Sequence, residues 1–177
     1  MKNIKKEVIN WTICIGSAIV FSLTLRTYVF ARAVVNQTSM LPTLKPNDSV
    51  ITENISPHFL NVKRGEIITF DSGDVSKDKY IKRVIAIEGD EIEITNGKIY
   101  LNGSKLDEKY IDSTIITNGG TYLHENQKIK IKKGFVFVLG DNRSVSNDSR
   151  NFGPINIKSI DGHVVLRIYP FKKINPF

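Results

Sequence analysis

The sequence predicts a mainly β domain behind one N-terminal membrane-spanning helix. Three observations carry that prediction. Val8 to Leu25 is a run of 18 residues without a charge. Beyond about residue 31, β-branched and aromatic runs alternate with Gly, Asn and Asp turn signals. Helical periodicity is nearly absent from that second part. The chain has 177 residues, 41% hydrophobic and 24% charged, a balance that excludes intrinsic disorder and a multi-span membrane protein. A single cysteine, Cys14, excludes an internal disulfide framework and a cysteine-based zinc cage. His58, His124 and His163 show no metal-ligand spacing, so neither a metal nor a cofactor is expected.

As a helix the apolar run extends about 27 Å, close to the hydrocarbon thickness of a bilayer. Trp11 and Tyr28 lie near its ends, where amphipathic rings favour the interface, and Arg26 can snorkel outward. Lys2, Lys5 and Lys6 precede it. The positive-inside rule then predicts a cytoplasmic segment over residues 1–7, a transmembrane anchor over 8–30 and an extracytoplasmic domain over 31–177. Cys14 reads as a small lipid-facing or packing residue. Two readings compete. A buried soluble helix is disfavoured by the flanking lysines and the length. A signal peptide cleaved after Ala31-Arg32-Ala33 is disfavoured because the apolar run exceeds the usual length of about 7–15 residues, and because Arg26 and Arg32 precede the cut.

The body reads as strands and turns. Glu66–Phe70 and Tyr80–Ile87 are strand-like, separated by turn formers at Asp71-Ser72-Gly73-Asp74. Glu91–Thr95 and Lys98–Leu101 flank Asn96-Gly97, a strong two-residue hairpin signal, and Asn102-Gly103 supplies a second turn. Phe135–Leu139 reads as a buried strand ending at Gly140-Asp141-Asn142. Ile155–Asp161 is expected to form one short helical turn, and His163–Tyr169 a last strand stopped by Pro170. Residues 107–133 are less patterned and suggest a small excursion or subdomain, bounded here at about 104–133.

The net charge of +7 invites a nucleic-acid reading, but its distribution does not support one. Residues 1–33 carry +4 and residues 34–177 carry +3 with both signs mixed, which points to a membrane end.

Three stretches could carry chemistry. The first is Thr38-Ser39-Met40-Leu41-Pro42-Thr43-Leu44, where Ser39 alone reads equally as a solvated loop hydroxyl. Met40, Leu41 and Pro42 could be core or could touch lipid or substrate. The second is Tyr80–Ile85. Alternation puts Tyr80, Lys82 and Val84 on one face, opposite Ile81, Arg83 and Ile85. A solvent-facing Lys82 would be ordinary. A buried one loses solvation, its pKa falls, and it can act as a general base. The third is Gly140 to Gly153, which sets small polar residues and two arginines directly after a buried strand, either as a hydrogen-bonded loop or as a support for catalytic groups.

Together, SMLPTL, YIKRVIAIEGD and GDNRSVSNDSRNFG, in this order, resemble the type I signal peptidases, membrane-anchored serine proteases that remove secretory signal peptides. The likeness covers most of residues 1–171, including the closing Tyr169-Pro170-Phe171. It implies a signal-peptidase-like all-β catalytic domain with a small inserted subdomain. It implies Ser39 as nucleophile and Lys82 as general base. It also implies an oxyanion hole from the Ser39 backbone N–H, with Gln37 standing where some members have a second hydroxyl donor. Ser146 resembles the serine that hydrogen-bonds the lysine amine. Asp148 and Arg150 resemble a supporting acid–base pair, with Asp141 and Arg143 in similar roles. Ala86 and Glu88 depart from the family's glycine and proline; Ala86 is either packing or a narrower subsite. The expected partners are signal peptides of secretory preproteins, cut after small-x-small sites, and the lipid bilayer, with no nucleic acid. A monomer near the secretion translocon is expected. The alternatives are a specialised processing peptidase and a non-catalytic, membrane-tethered β binding protein.

Overall fold

The computed structural model describes residues 4–55, 62–71 and 79–177, with the side chains of 24–28 excepted. Lys2, His58, the side chains of Arg26 and Tyr28, and the turn at 72–74 lie outside the described residues. Helix α1 spans Ile4–Tyr28, and every described side chain from Ile4 to Leu23 is exposed. The stretch Ile4–Leu23, none of it buried, is long and apolar enough to cross a membrane.

The strands are β1 (Phe30–Val34), β2 (Ser49–Glu53), β3 (Ile67–Asp71), β4 (Lys79–Ala86), β5 (Glu91–Thr95) and β6 (Lys98–Leu101). They continue as β7 (Ser104–Lys105), β8 (Lys128–Lys130), β9 (Phe135–Leu139), β10 (Ile155–Asn156), β11 (Ile160–Tyr169) and β12 (Asn175–Pro176). The larger sheet runs β1-β2-β11-β3-β4-β9-β10, with β12 on β11. The smaller runs β7-β6-β5-β8. The chain leaves the larger sheet after β4 and re-enters it at β9, the neighbour of β4, so the smaller sheet is an insertion between two paired strands.

Local chemistry explains these elements. Asn96 and Gly97 have φ of 51° and 71°, and Asn102 and Gly103 have 53° and 79°. Both pairs take the left-handed conformations that a two-residue hairpin requires, which sets the registers Thr95↔Lys98 and Leu101↔Ser104. The insertion packs through Ile92, Ile94, Ile99 and Leu123 onto Ile85, Phe137 and Leu139 of the larger sheet. A second cluster joins Ile68, Phe70, Val84, Val136 and Val138, and a third joins Val35, Met40, Leu44, Val50, Ile67 and Val164.

Three expectations need adjustment. The helical turn expected over Ile155–Asp161 is only a 3-10 turn at Ile157–Ser159, because Asn156 Oδ1 accepts from Lys158 N and the last strand already starts at Ile160. Phe30, read as the last residue of the anchor, opens β1, which pairs with β2 over Phe30–Val34. The strand holding Lys82 is buried on both faces from Lys82 to Ala86 rather than alternating. A bulge between Val84 and Ala86, opposite β9, turns Ile85 and Ala86 into the cluster shared with the insertion.

Phe137 is fully buried at the contact between the two sheets. Phe137→Ala should lower the unfolding free energy by about 3–5 kcal/mol. Denaturant unfolding of the full chain in detergent would measure this, and a loss below about 1 kcal/mol would mean the sheets are not packed through this ring.

Candidate active site

Ser39 sits in a tight turn whose shape follows from two apolar plugs. Met40 and Leu44 enter the third core cluster four residues apart, and Leu44 N–H donates to Met40 O at 2.9 Å. The Ser39 carbonyl is pinned from the other side by the Asn142 N–H at 2.9 Å, and Asn142 Nδ2 donates to Thr38 O at 3.2 Å. Met40 is 1% exposed and packs into the third core cluster, so of the readings left open by the sequence it takes the core one rather than lipid contact. Leu41 is half-buried and Pro42 exposed.

Lys82 comes from the middle of β4, paired with Ile68 on β3. Its side chain is 1% exposed, and Nζ donates to Ser39 Oγ at 2.8 Å. The Tyr80 ring covers the ammonium, with its centroid 5.0 Å from Nζ. Burial lowers the Lys82 pKa to about 8, against the opposing pull of Asp148 and then Asp141. A serine hydroxyl beside an amine that can be neutral near physiological pH can pass its proton to that amine.

The polar loop lies beneath this pair. Asp148 is fully buried and receives Arg150 Nε at 2.8 Å and Nη2 at 2.9 Å, and also the Gly140 N–H at 3.1 Å. It caps the short helix α2 (Ser149–Phe152). Asp141 receives Arg83 Nε at 2.9 Å and Nη2 at 2.7 Å, together with the Thr43 hydroxyl. Arg143 turns away from both carboxylates and pairs with Glu108 of the insertion. Gly140 is required by space: a Cβ there would lie 2.2 Å from Ser146 Oγ and 2.5 Å from Ser39 O. Ser146 is buried beside the site, but its hydroxyl has no hydrogen-bond partner among the described residues. The expected bond from the Lys82 amine to this hydroxyl is not made; Nζ donates to Ser39 Oγ.

A cleft of about 440 Å³ opens beside Ser39, lined among others by Ala33, Gln37, Met40, Thr69 and Ile81. Gln37 is exposed on its rim. Leu41 and Pro42 are not among the lining residues, and neither is Ala86, whose methyl is buried in the cluster with Phe137. Ala86 is therefore packing and does not narrow the cleft. Glu88 accepts the Gly134 N–H at 3.0 Å. Ala31-Arg32-Ala33 is held in β1 against β2. Among the described residues, no group of three His, Cys, Asp or Glu side chains is placed to hold a metal.

Sequence reasoning missed Arg83, Thr43, Glu108, Tyr110 and Thr117, all of which join this network. Only Arg83 carried a signal, as a second charge beside Lys82 in a strand that is apolar from Val84 onward.

A family model described as signal peptidase, peptidase S26, matches residues 8–169. The chain is 33% identical over 180 residues to signal peptidase IB of Staphylococcus aureus (strain COL), covering 96% of this chain and 93% of that protein. It is 38% identical over 157 residues to signal peptidase I of Bacillus caldolyticus, covering 85% of each. Among solved structures, a signal peptidase I from Enterococcus faecalis V583 is similar with a TM-score of 0.49 and 26% identity, over 59% of this chain and 97% of that one.

The buried lysine has a consequence for stability. Unfolded, it keeps its proton up to a pKa of about 10.4. Folded, it releases the proton near 8. Between these values the unfolded chain holds more protons, so stability rises with pH across the window, and the cost of the buried charge is fully present below it. Lys82→Met should therefore raise the unfolding free energy by about 2 kcal/mol at pH 7, with the gain shrinking toward pH 10. Denaturant unfolding at several pH values checks it; a gain that does not vary with pH would contradict it.

Proposed function

The chain belongs to the signal peptidase family, peptidase S26, and from that premise we propose that Ser39 and Lys82 form its catalytic dyad. It is a membrane-anchored serine endopeptidase that removes signal peptides from preproteins. The single observation that supports the dyad is the 2.8 Å contact between Lys82 Nζ and Ser39 Oγ in a buried setting.

In this reading Ser39 Oγ attacks the scissile carbonyl carbon while its proton passes to neutral Lys82 Nζ. The carbonyl oxygen becomes an oxyanion, taken up by the Ser39 N–H and the Gln37 side-chain amide on the cleft rim. The tetrahedral intermediate collapses, the C–N bond breaks, and the Lys82 ammonium gives its proton to the leaving amine. A water then loses its proton to Lys82 and attacks the ester, and the same proton returns to Ser39 Oγ as the acid is released. Asp148 and Asp141 would hold Lys82 protonated if left unpaired; Arg150 and Arg83 balance them.

Met40 and Ile81 line the cleft and would set which side chains before the cut it accepts, in keeping with a preference for small ones. Lys5 and Lys6 ahead of the apolar run favour a cytoplasmic N-terminus and an extracytoplasmic catalytic domain. Anchoring then brings enzyme and membrane-inserted substrate into one plane and raises their effective concentration.

Ser39→Ala and Lys82→Arg should each lower preprotein cleavage by about 10⁴-fold, the second because arginine cannot deprotonate. Cleavage by the full chain in proteoliposomes is the assay, and retained activity in Lys82→Arg would refute the dyad. In the unmodified enzyme, kcat/KM should rise with pH to a plateau, with its midpoint near 8. A midpoint unaffected by the Lys82 environment, near the histidine range, would assign the base elsewhere.

A further inference from the structure

The insertion between β4 and β9 sends two side chains back to the site. Glu108 follows β7, and its carboxylate grips Arg143 through both Nη1, at 3.1 Å, and Nη2. Arg143 also donates to Thr117 Oγ1 at 2.7 Å and, through Nε, to Gly140 O at 3.0 Å. Tyr110 donates its hydroxyl to Glu108, and Arg83 sits over its ring, with Cζ 3.9 Å from the centroid. Burial, reinforced by Glu108, pushes the Tyr110 phenol well above its ordinary pKa, so it remains a donor. Arg83 in turn holds Asp141.

We propose that Glu108 and Tyr110 are positioning residues for the peptidase reaction: through Arg143 and Arg83 they fix the Gly140–Arg143 segment against the Ser39 turn. The proposal rests on Ser39 being the nucleophile. The connection is short at each step. The Arg143 side chain is fully buried, so without Glu108 its charge loses the carboxylate that grips it and must move or draw in water. Its Nε would then no longer hold the Gly140 carbonyl. Gly140 has no spare volume, since its Cα hydrogen already faces Ser39 O and Ser146 Oγ. Two residues on, the Asn142 N–H carries the Ser39 carbonyl. A shift in this segment therefore displaces Ser39 relative to Lys82. Tyr110 acts on the same segment from the other side, by keeping the Arg83 fork in the plane that meets both Asp141 oxygens. None of Glu108, Tyr110, Arg143 or Arg83 lines the cleft, so substrate binding should be spared.

The test uses the full chain in detergent with a preprotein substrate. Glu108→Gln and Tyr110→Leu should each lower kcat by about ten- to a hundredfold, with KM within about twofold. Tyr110→Phe keeps the ring on Arg83 and should recover most of the loss seen in Tyr110→Leu. The pair Glu108→Met with Arg143→Met removes both buried charges, so it should fold with its thermal stability retained and still lose kcat. Glu93→Gln weakens a half-buried ion pair with Lys128, which Glu91 also meets, in the same small sheet and outside the cleft lining, and should leave both constants unchanged. Full kcat in stably folded Glu108→Gln or in the double variant overturns the proposal. So does a loss that appears in KM, or an equal loss in Glu93→Gln. Ser39→Ala runs in parallel: if it still turns over, the nucleophile assignment fails instead, which the Glu108 variants alone would not reveal.

Discussion

A lysine ammonium held out of water at 2.8 Å from a serine hydroxyl is the constraint around which the rest of the domain is arranged. Burial alone moves such an amine toward neutrality, but the same interior also contains two carboxylates that push the other way. The protein answers each with its own guanidinium. Asp148 is bound to Arg150, and Asp141 to Arg83, both bidentate and both buried. Those carboxylates remain because they also receive the Gly140 N–H and the Thr43 hydroxyl, and so tie the loop and the Ser39 turn together. Charge balance and positioning are performed by the same four side chains.

The larger sheet supplies the rigidity this needs. Lys82 lies mid-strand between β3 and β9, and the Ser39 turn is anchored by Met40 and Leu44 into the core beneath β2 and β11. Rigid elements hold a site more tightly than loops do. The one long loop involved, Gly140 to Asp148, is itself fixed by the insertion at one end and by the α2 cap at the other. The inserted sheet is thus joined to the site by polar contacts as well as by its apolar face.

Much of this was legible in the residues. The charge-free run from Val8 predicted a helix long enough to span a bilayer, and the helix extends from Ile4 to Tyr28. Asn96-Gly97 and Asn102-Gly103 predicted hairpins, because few residues accept positive φ so readily. What alternation could not decide was which face of β4 is inside, and the answer is both, since the insertion covers one side and the Ser39 turn the other. Phe30-Ala31-Arg32-Ala33-Val34 did not read as a strand because it continues an apolar helix and contains a charge. Met40 read as possible lipid contact because an apolar loop residue looks the same in sequence whether it faces a membrane or a core. Glu108 and Tyr110 gave no signal, as their partners Arg143 and Arg83 are distant in the chain and only the fold brings them together.

The most direct test is the titration of Lys82 itself. Side-chain NMR of isotopically labelled lysine in the full chain, with the Lys82 signal assigned by its loss in Lys82→Met, reads the protonation of Nζ without passing through activity. The account predicts a midpoint near 8. A midpoint at the ordinary lysine value of about 10.4 would mean the amine stays charged under working conditions, and would contradict a neutral lysine as the base for Ser39.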